Sequence, residues 1–245
     1  MVVSMPQQRG SQLLELWERA VVVRPWERGD VLLAATGVAP MTLSERNAAL
    51  LQLRARLFGS AQPLRCNCIT CGVTTEFAID CEALARELST ADADSEHMLS
   101  VDGFHITFRV PSPSDVRTAA ALAGDRDAFV GMLLERCVTA CVRSDGEACP
   151  AGDLPVPVAM ALSQGMEALE QGAVVRFDLT CPECRAQWRS VMDCADVLWS
   201  EVQSRAERLL LDIDALARRY GWSEPEVLAL TPTRRAAYLQ LAGVA

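Results

Sequence analysis

The chain has no lysine: all 23 of its basic residues are arginine. A GC-rich coding bias is the simplest cause, although arginine is also the cation better suited to forked contacts at interfaces. Histidine is almost absent, with His97 and His105 the only two. There is no His-Glu-x-x-His pair, no glycine-rich phosphate loop and no serine elbow. These absences remove the common signatures of zinc proteases, nucleotide hydrolases and α/β-hydrolases. Aromatic residues make up only 5% of the chain. No apolar run approaches the roughly 20 residues a membrane span requires. The opening Met1-Val-Val-Ser-Met-Pro-Gln-Gln-Arg9 has no apolar signal region, so the expected compartment is the cytoplasm of the producing cell.

What is present bounds the class. At 245 residues the chain can hold one large core or two small ones. Half of it is hydrophobic, and that half is mostly Ala, Leu and Val, which favours helices. The net charge is −9 and the isoelectric point about 4.8. An acidic body repels phosphate, which counts against a nucleic-acid partner. Ten cysteines in a chain made in a reducing compartment point to metal and free thiols rather than disulfides.

Two Cys-x-x-Cys pairs stand out: Cys68-Ile-Thr-Cys71 and Cys181-Pro-Glu-Cys184. A two-residue spacer lets both thiolates of a tight turn face one ion, and Zn²⁺ favours four sulfur ligands in a tetrahedron. Gly72 follows the first pair and permits a left-handed turn residue; Pro182 presets φ in the second. Strand-like segments, 73–79 and 173–179, flank the pairs. Two knuckles closing on one metal make a zinc-ribbon arrangement with Cys68, Cys71, Cys181 and Cys184 as ligands. Cys181 follows Cys71 by 110 positions, against roughly 15–20 residues in ordinary ribbons. Loop closure grows logarithmically, so the extra length costs on the order of 1.5–2 kcal/mol, small beside the 10–16 kcal/mol or so of a structural zinc. Two unrelated thiol pairs, and a thioredoxin-like redox pair, are the competing readings. The redox reading requires a pair that opens a helix after a buried strand.

The remaining pattern is mainly helical at both ends. Helices are predicted over 11–20, 25–35 and 42–58, the last opened by the capping box Thr42-Leu-Ser-Glu45 and closed by Gly59. Asp80 is a predicted cap for a helix to Leu88, and residues 89–96, with Asp92 and Asp94, read as an acidic loop. His97–Val101 and Phe104–Val110 flank Asp102-Gly103 as a hairpin, with both histidines on one face. Helices are predicted from Ser112 or Ser114, over 127–142 and over 158–169. The 127–142 helix would place Cys137 and Cys141 four residues apart on an apolar, core-facing stripe. Cys66 is a weaker alternative ligand to Cys68, and Cys194 a buried thiol at a strand-to-helix junction. The longest helix runs from Ala195 to Tyr220 and ends at Gly221. Short helices then open at the capping box Ser223-Glu-Pro-Glu226 and at Thr231-Pro232. Trp222, Arg234, Arg235 and Tyr238 cluster here, and these residue types are enriched at binding hot spots. The alternative is that the aromatics merely staple the short helices to the long one.

Several segments together resemble the T-even-phage baseplate family. They are Leu13-Leu-Glu-Leu-Trp-Glu-Arg-Ala20, Glu45-Arg-Asn-Ala-Ala-Leu-Leu51 with Leu57-Phe-Gly59, the two knuckles, and the ending Arg219-Tyr-Gly-Trp-Ser-Glu224 with Arg234-Arg-Ala-Ala-Tyr-Leu239. The family's Cys-Pro-x-Cys-Gly knuckle is altered here: Ile69 replaces the first proline and Arg185 the second glycine. The resemblance implies a non-enzymatic part in the baseplate of a phage tail or phage-derived contractile injection system. Hub, baseplate or tape-measure proteins would be its partners, and it would sit in the assembled particle or act in hub assembly. A nucleic-acid-binding zinc ribbon and a thiol oxidoreductase are the rival functions.

The expected fold is α+β. It has a helical region at 1–60, a zinc-ribbon-like β module from 61–110 with 174–195, a helical insertion at 111–173, and a C-terminal helical unit at 196–245.

Overall fold

The structure, a computed structural model, describes residues 6–39, 42–88 and 96–243. It is a mixed α+β chain with three small sheets, and its contacts divide it into two units, one from residues up to Ala35 and from Ala195 onward, the other from Thr36 to Cys194.

The first unit is helical. It contains α1 (Pro6–Val21), a 3₁₀ turn at Pro25–Glu27, α2 (Arg28–Ala34), and, from the far end of the chain, α8 (Cys194–Tyr220), α9 (Glu224–Leu228) and α10 (Pro232–Leu241). The apolar stripe of α8 supplies Ala206, Leu209, Ile213 and Leu216 to a core shared with Leu14, Val227 and Leu228. α1 approaches closely because Gly10 has no side chain: a Cβ there would lie 3.0 Å from Leu228 Cδ2. Gly221, at φ 70°, ends α8 in the left-handed conformation that glycine adopts without strain. Ser223 and Glu226 then form the expected capping box.

The second unit begins at α3 (Leu43–Phe58), whose capping box joins Thr42 and Glu45. A second acceptor completes this helix start. The buried Glu170 carboxylate accepts from the Ser44 amide at 2.7 Å, and the Asn47 amide donates to the carbonyls of Gly172 and Ala173 at 2.9 and 3.0 Å. At the other end the buried Arg54 donates to the carbonyls of Gly59 and, at 2.7 Å, Ala61. These bonds turn the chain into β1 (Ala61–Asn67), which pairs with β2 (Thr74–Asp80) before α4 (Cys81–Leu88). Asp80 caps α4 through bonds from the amides of Glu82 and Ala83, both 2.9 Å. Asp92 and Asp94 lie outside the described residues.

β3 (His97–Val101) and β4 (Phe104–Phe108) form the expected hairpin, with Asp102 and Gly103 both at positive φ. Its histidines do not share a face. A two-residue turn opposes His97 to Phe108 and His105 to Ser100, so residues of equal parity on the two strands point to opposite sides. His97 packs on Phe108 with ring centroids 5.8 Å apart, while the exposed His105 bonds Ser100 Oγ at 2.9 Å.

The region expected to be a helical insertion contains α5 (Pro113–Leu122), α6 (Arg126–Cys137) and α7 (Val156–Leu169), but also a strand, β5 (Val138–Arg143). The helix predicted over 127–142 therefore stops at Cys137. Val138, Thr139 and Val142 are β-branched, and the free edge of β4 takes the segment into a three-stranded sheet ordered β3-β4-β5. Cys137 and Cys141 are still buried in one core with Ile106, Phe108, Leu134, Val158, Leu162 and Met166. They reach it from a helix end and a strand, not from one helical stripe. Asp115 ties these elements together. Its buried carboxylate accepts from Arg109 Nη1 at 2.6 Å, Arg136 Nε at 2.9 Å, Ser112 Oγ at 2.7 Å and the Ser112 amide at 3.0 Å.

Candidate metal centre

Two hairpins built alike carry the four cysteines. The first is β1-knuckle-β2; the second is β6 (Val175–Thr180), a knuckle, and β7 (Gln187–Met192). In the first, the Cys68 amide donates to Val73 O and the Gly72 amide to Cys68 O, both at 2.9 Å. In the second, the Cys181 amide donates to Ala186 O at 2.9 Å and the Arg185 amide to Cys181 O at 3.0 Å. Cys68, Cys71 and Cys81 recur, equally displaced along the chain, as Cys181, Cys184 and Cys194. Cys81 and Cys194 each open the helix that follows a hairpin, and both are buried. Burial pushes the Cys194 thiol up to about 12, the behaviour of a packed, inert thiol. The repeated spacing was a signal in the sequence that the paired hairpins are one motif used twice.

The hairpins meet on their inner faces. Phe77 of β2 and Phe177 of β6 pack edge to face with centroids 5.4 Å apart. Cys66 Sγ lies 3.4 Å from Ser190 Oγ, so Cys66 belongs to this contact and Cys68 is the residue in the cluster. Beyond that contact the sulfurs of Cys68, Cys71, Cys181 and Cys184 all lie within 4.8 Å of one another. The closest pairs cross between hairpins: Cys68 to Cys184 and Cys71 to Cys181, each 3.6 Å. A tetrahedron with bonds of about 2.3 Å places its sulfurs about 3.8 Å apart, so this donor set fits a single Zn²⁺. Cys68 and Cys181 are buried and Cys71 and Cys184 exposed, so one side of the cluster faces solvent.

Electrostatics favour a cation. The amides of Cys71 and Thr70 point at the Cys68 sulfur and hold its pKa below the ordinary thiol value. The amides of Cys184 and Glu183 do the same for Cys181. At Cys71 the Val73 amide also favours the thiolate, but the sulfurs of Cys184, Cys181 and Cys68 and partial desolvation outweigh it and push its pKa up. Cys184 is pushed up as well: the Ala186 amide is outweighed by desolvation and by Cys181 and Cys68. Four sulfurs this close cannot all ionise without a positive charge between them, and a divalent ion supplies it.

Arg185 occupies the turn position that Gly72 holds in the other knuckle, at φ 60° against 74°. The left-handed region costs a residue with a Cβ about 1–2 kcal/mol. Arg185→Gly is therefore expected to stabilise the protein by about 0.5–1 kcal/mol, after subtracting the extra freedom glycine has when unfolded. Denaturant melts of the two proteins at equal zinc content check this; an unchanged or lower midpoint would mean the turn is unstrained.

The four C-terminal residues singled out in the sequence sit in the helical unit, outside this centre. Trp222 and Tyr238 pack edge to face at 4.8 Å, and Tyr220 stacks on Trp222 at 4.8 Å. Arg235 Nε pairs with Asp212 Oδ2 at 2.9 Å, with both side chains about four-fifths covered, and so anchors α10 to α8. Arg234 is exposed.

Comparison with known proteins places this architecture. A family described as T4 bacteriophage base plate protein matches residues 30–199, more than half of the chain. The match spans α3, both knuckles and the β3-β4-β5 sheet, and so includes the 45–59 segment and the knuckles on which the resemblance rests, while the opening and ending segments lie outside it. No curated protein and no solved structure matches the chain. No helix among the described residues is long and apolar enough to cross a membrane. The chain belongs to the T4 bacteriophage base plate protein family.

Proposed function

We propose that the protein is a zinc-stabilised structural component, or assembly factor, of the baseplate hub in a phage-like contractile tail or injection particle, acting by protein–protein contact. The observation that carries the zinc reading is the convergence of four sulfurs from two hairpins over 110 positions apart in sequence. The family supports the baseplate role and implies other baseplate proteins as partners. The acidic charge and the lack of a basic stripe in the sequence weigh against the nucleic-acid reading. Each Cys-x-x-Cys pair lies in a turn between two strands, not at a helix start, so the thioredoxin-like context for a thiol oxidoreductase is missing at these pairs. Elemental analysis of protein made without a metal-affinity tag tests the metal. About one zinc per chain is expected; stably folded, metal-free protein would overturn it.

The partner surface proposed for this role is the face around α9 and α10, with the exposed Arg234 and the partly buried Trp222 and Tyr238 as its candidate residues. Arg235 plays a different part there. Arg235→Ala is expected to cost about 1–2 kcal/mol, the worth of a largely covered charged hydrogen bond, whereas Arg234→Ala should leave stability within about 0.5 kcal/mol. If the surface binds hub or tape-measure proteins, Arg234→Ala weakens co-purification with them despite normal melting. Intact particles carrying Arg234→Ala would remove this face from consideration.

A further inference from the structure

Cys141 and Cys149 lie outside the metal cluster, and the proposed function gives them no role. They face each other across a short ladder. Val142 bridges Ala148 in antiparallel fashion. The Cys149 amide donates to Cys141 O at 3.0 Å and the Arg143 amide to Glu147 O at 2.9 Å. This register sets Cys141 directly opposite Cys149, with the turn at 144–146 closing the ladder. Opposed residues of a hydrogen-bonded antiparallel pair have Cα atoms about 5.5 Å apart and side chains on one face. A disulfide spans Cα separations of about 4.4–6.8 Å.

Their surroundings separate the two thiols. Both are buried in the sheet core. Burial and the adjacent Cys149 thiol raise the pKa of Cys141. Arg143 Nη2 donates to the Cys149 sulfur at 3.8 Å, and the Cys149 thiol faces Pro150 O at 3.6 Å. A cleft of about 410 Å³, lined by both cysteines with Thr139, Ala140, Pro150 and Gly152, gives small molecules a way in.

We propose that Cys141 and Cys149 form a redox dithiol that a hydroperoxide closes into a cross-strand disulfide, stapling the 142–148 turn to the three-stranded sheet. The Cys149 sulfur attacks one peroxide oxygen, the O–O bond breaks, and the thiol proton leaves with the other oxygen as one water, giving Cys149 sulfenic acid. The Cys141 sulfur then attacks the sulfenic sulfur, its proton leaves with the hydroxyl as a second water, and the S–S bond forms. Two thiols are oxidised and one peroxide is reduced to two waters. Directly opposed ladder positions hold Cβ atoms wider than a relaxed disulfide, so the bond is strained and readily reduced. Its use in the particle rests on the baseplate reading: the chain is made in reducing cytoplasm and the staple closes after release.

The missing lysines make the test specific. Trypsin cuts after Arg136, Arg143 and Arg176 and so separates Cys141 from Cys149. Zinc content is measured first on the purified full-length protein, which is then exposed to hydrogen peroxide, alkylated in denaturant and digested without reduction. The expected product is peptide 137–143 linked to peptide 144–176. The link should persist in Cys137→Ser, disappear in Cys149→Ser, and form in the wild type before zinc is released. Amide exchange in 144–148 should slow at least about threefold once it forms. Full alkylation of both thiols at a peroxide dose that has already emptied the zinc centre would overturn the proposal, as would a link through Cys137. Absence of zinc in the untreated sample would count against the metal reading alone, and absence of the chain from purified particles against the baseplate reading alone.

Discussion

Cys181→Ser is expected to lower the melting temperature by roughly 10–20 °C and to loosen both knuckled hairpins, not only the one that carries the substitution. A structural zinc is worth about 10–16 kcal/mol and its binding energy is folding energy. Losing one thiolate removes on the order of 5 kcal/mol or more, and a chain of this size loses about 2–4 °C per kcal/mol. The effect must cross between hairpins because the closest sulfur pairs do: Cys181 lies 3.6 Å from Cys71 and Cys184 3.6 Å from Cys68. Edge packing of Phe77 on Phe177 and the Cys66–Ser190 contact also join the hairpins, but an isolated two-stranded hairpin is marginally stable at best. A strong chelator should reproduce the loss in the wild type and add nothing in the variant. Hydrogen exchange in 61–80 and 175–192 is the direct check. Protection lost only in the second hairpin would mean the pairs bind independently.

The second large effect is at Asp115. Asp115→Ala is expected to cost about 2–4 kcal/mol, because it strips a buried carboxylate from Arg109 and Arg136 and leaves the Ser112 amide and hydroxyl without their acceptor. Burial alone would raise the pKa of Asp115, but the hydrogen bonds from Arg109 and Ser112 and the Arg109 charge hold it well below the usual carboxylate range. A depressed folded-state pKa contributes stability that is fully present above the unfolded value of about 4 and is lost as pH falls toward the folded one. The wild type should therefore weaken progressively below about pH 5. Asp115→Asn should be less stable at pH 7 and show a shallower acid limb. Parallel acid limbs in the two proteins would place the pH dependence elsewhere.

The sequence disclosed the four-cysteine cluster better than it disclosed the sheet. The convergence of Cys68, Cys71, Cys181 and Cys184 was legible because a Cys-x-x-Cys knuckle has a fixed local spacing, and local spacing is what a sequence displays. Most helix ends were legible for the same reason: Thr42 with Glu45, Asp80, Ser112, Gly221 and Thr231 act within one turn. β5 was not legible. Val138–Arg143 continues the apolar pattern of α6, and only the edge of β4, over thirty residues away, decides that it pairs as a strand. The faces of His97 and His105 depended on turn parity as well as strand period. Arg235 read as a partner-binding candidate because its pairing with Asp212, 23 positions away, is a contact that local spacing does not display.

X-ray absorption at the zinc edge tests the central claim most directly. The protein, purified without added metal, should show about one zinc per chain with four sulfur neighbours at about 2.3 Å and no nitrogen or oxygen in the first shell. A mixed shell, fewer than four sulfurs, or a folded chain with no metal would contradict a ribbon closed by Cys68, Cys71, Cys181 and Cys184.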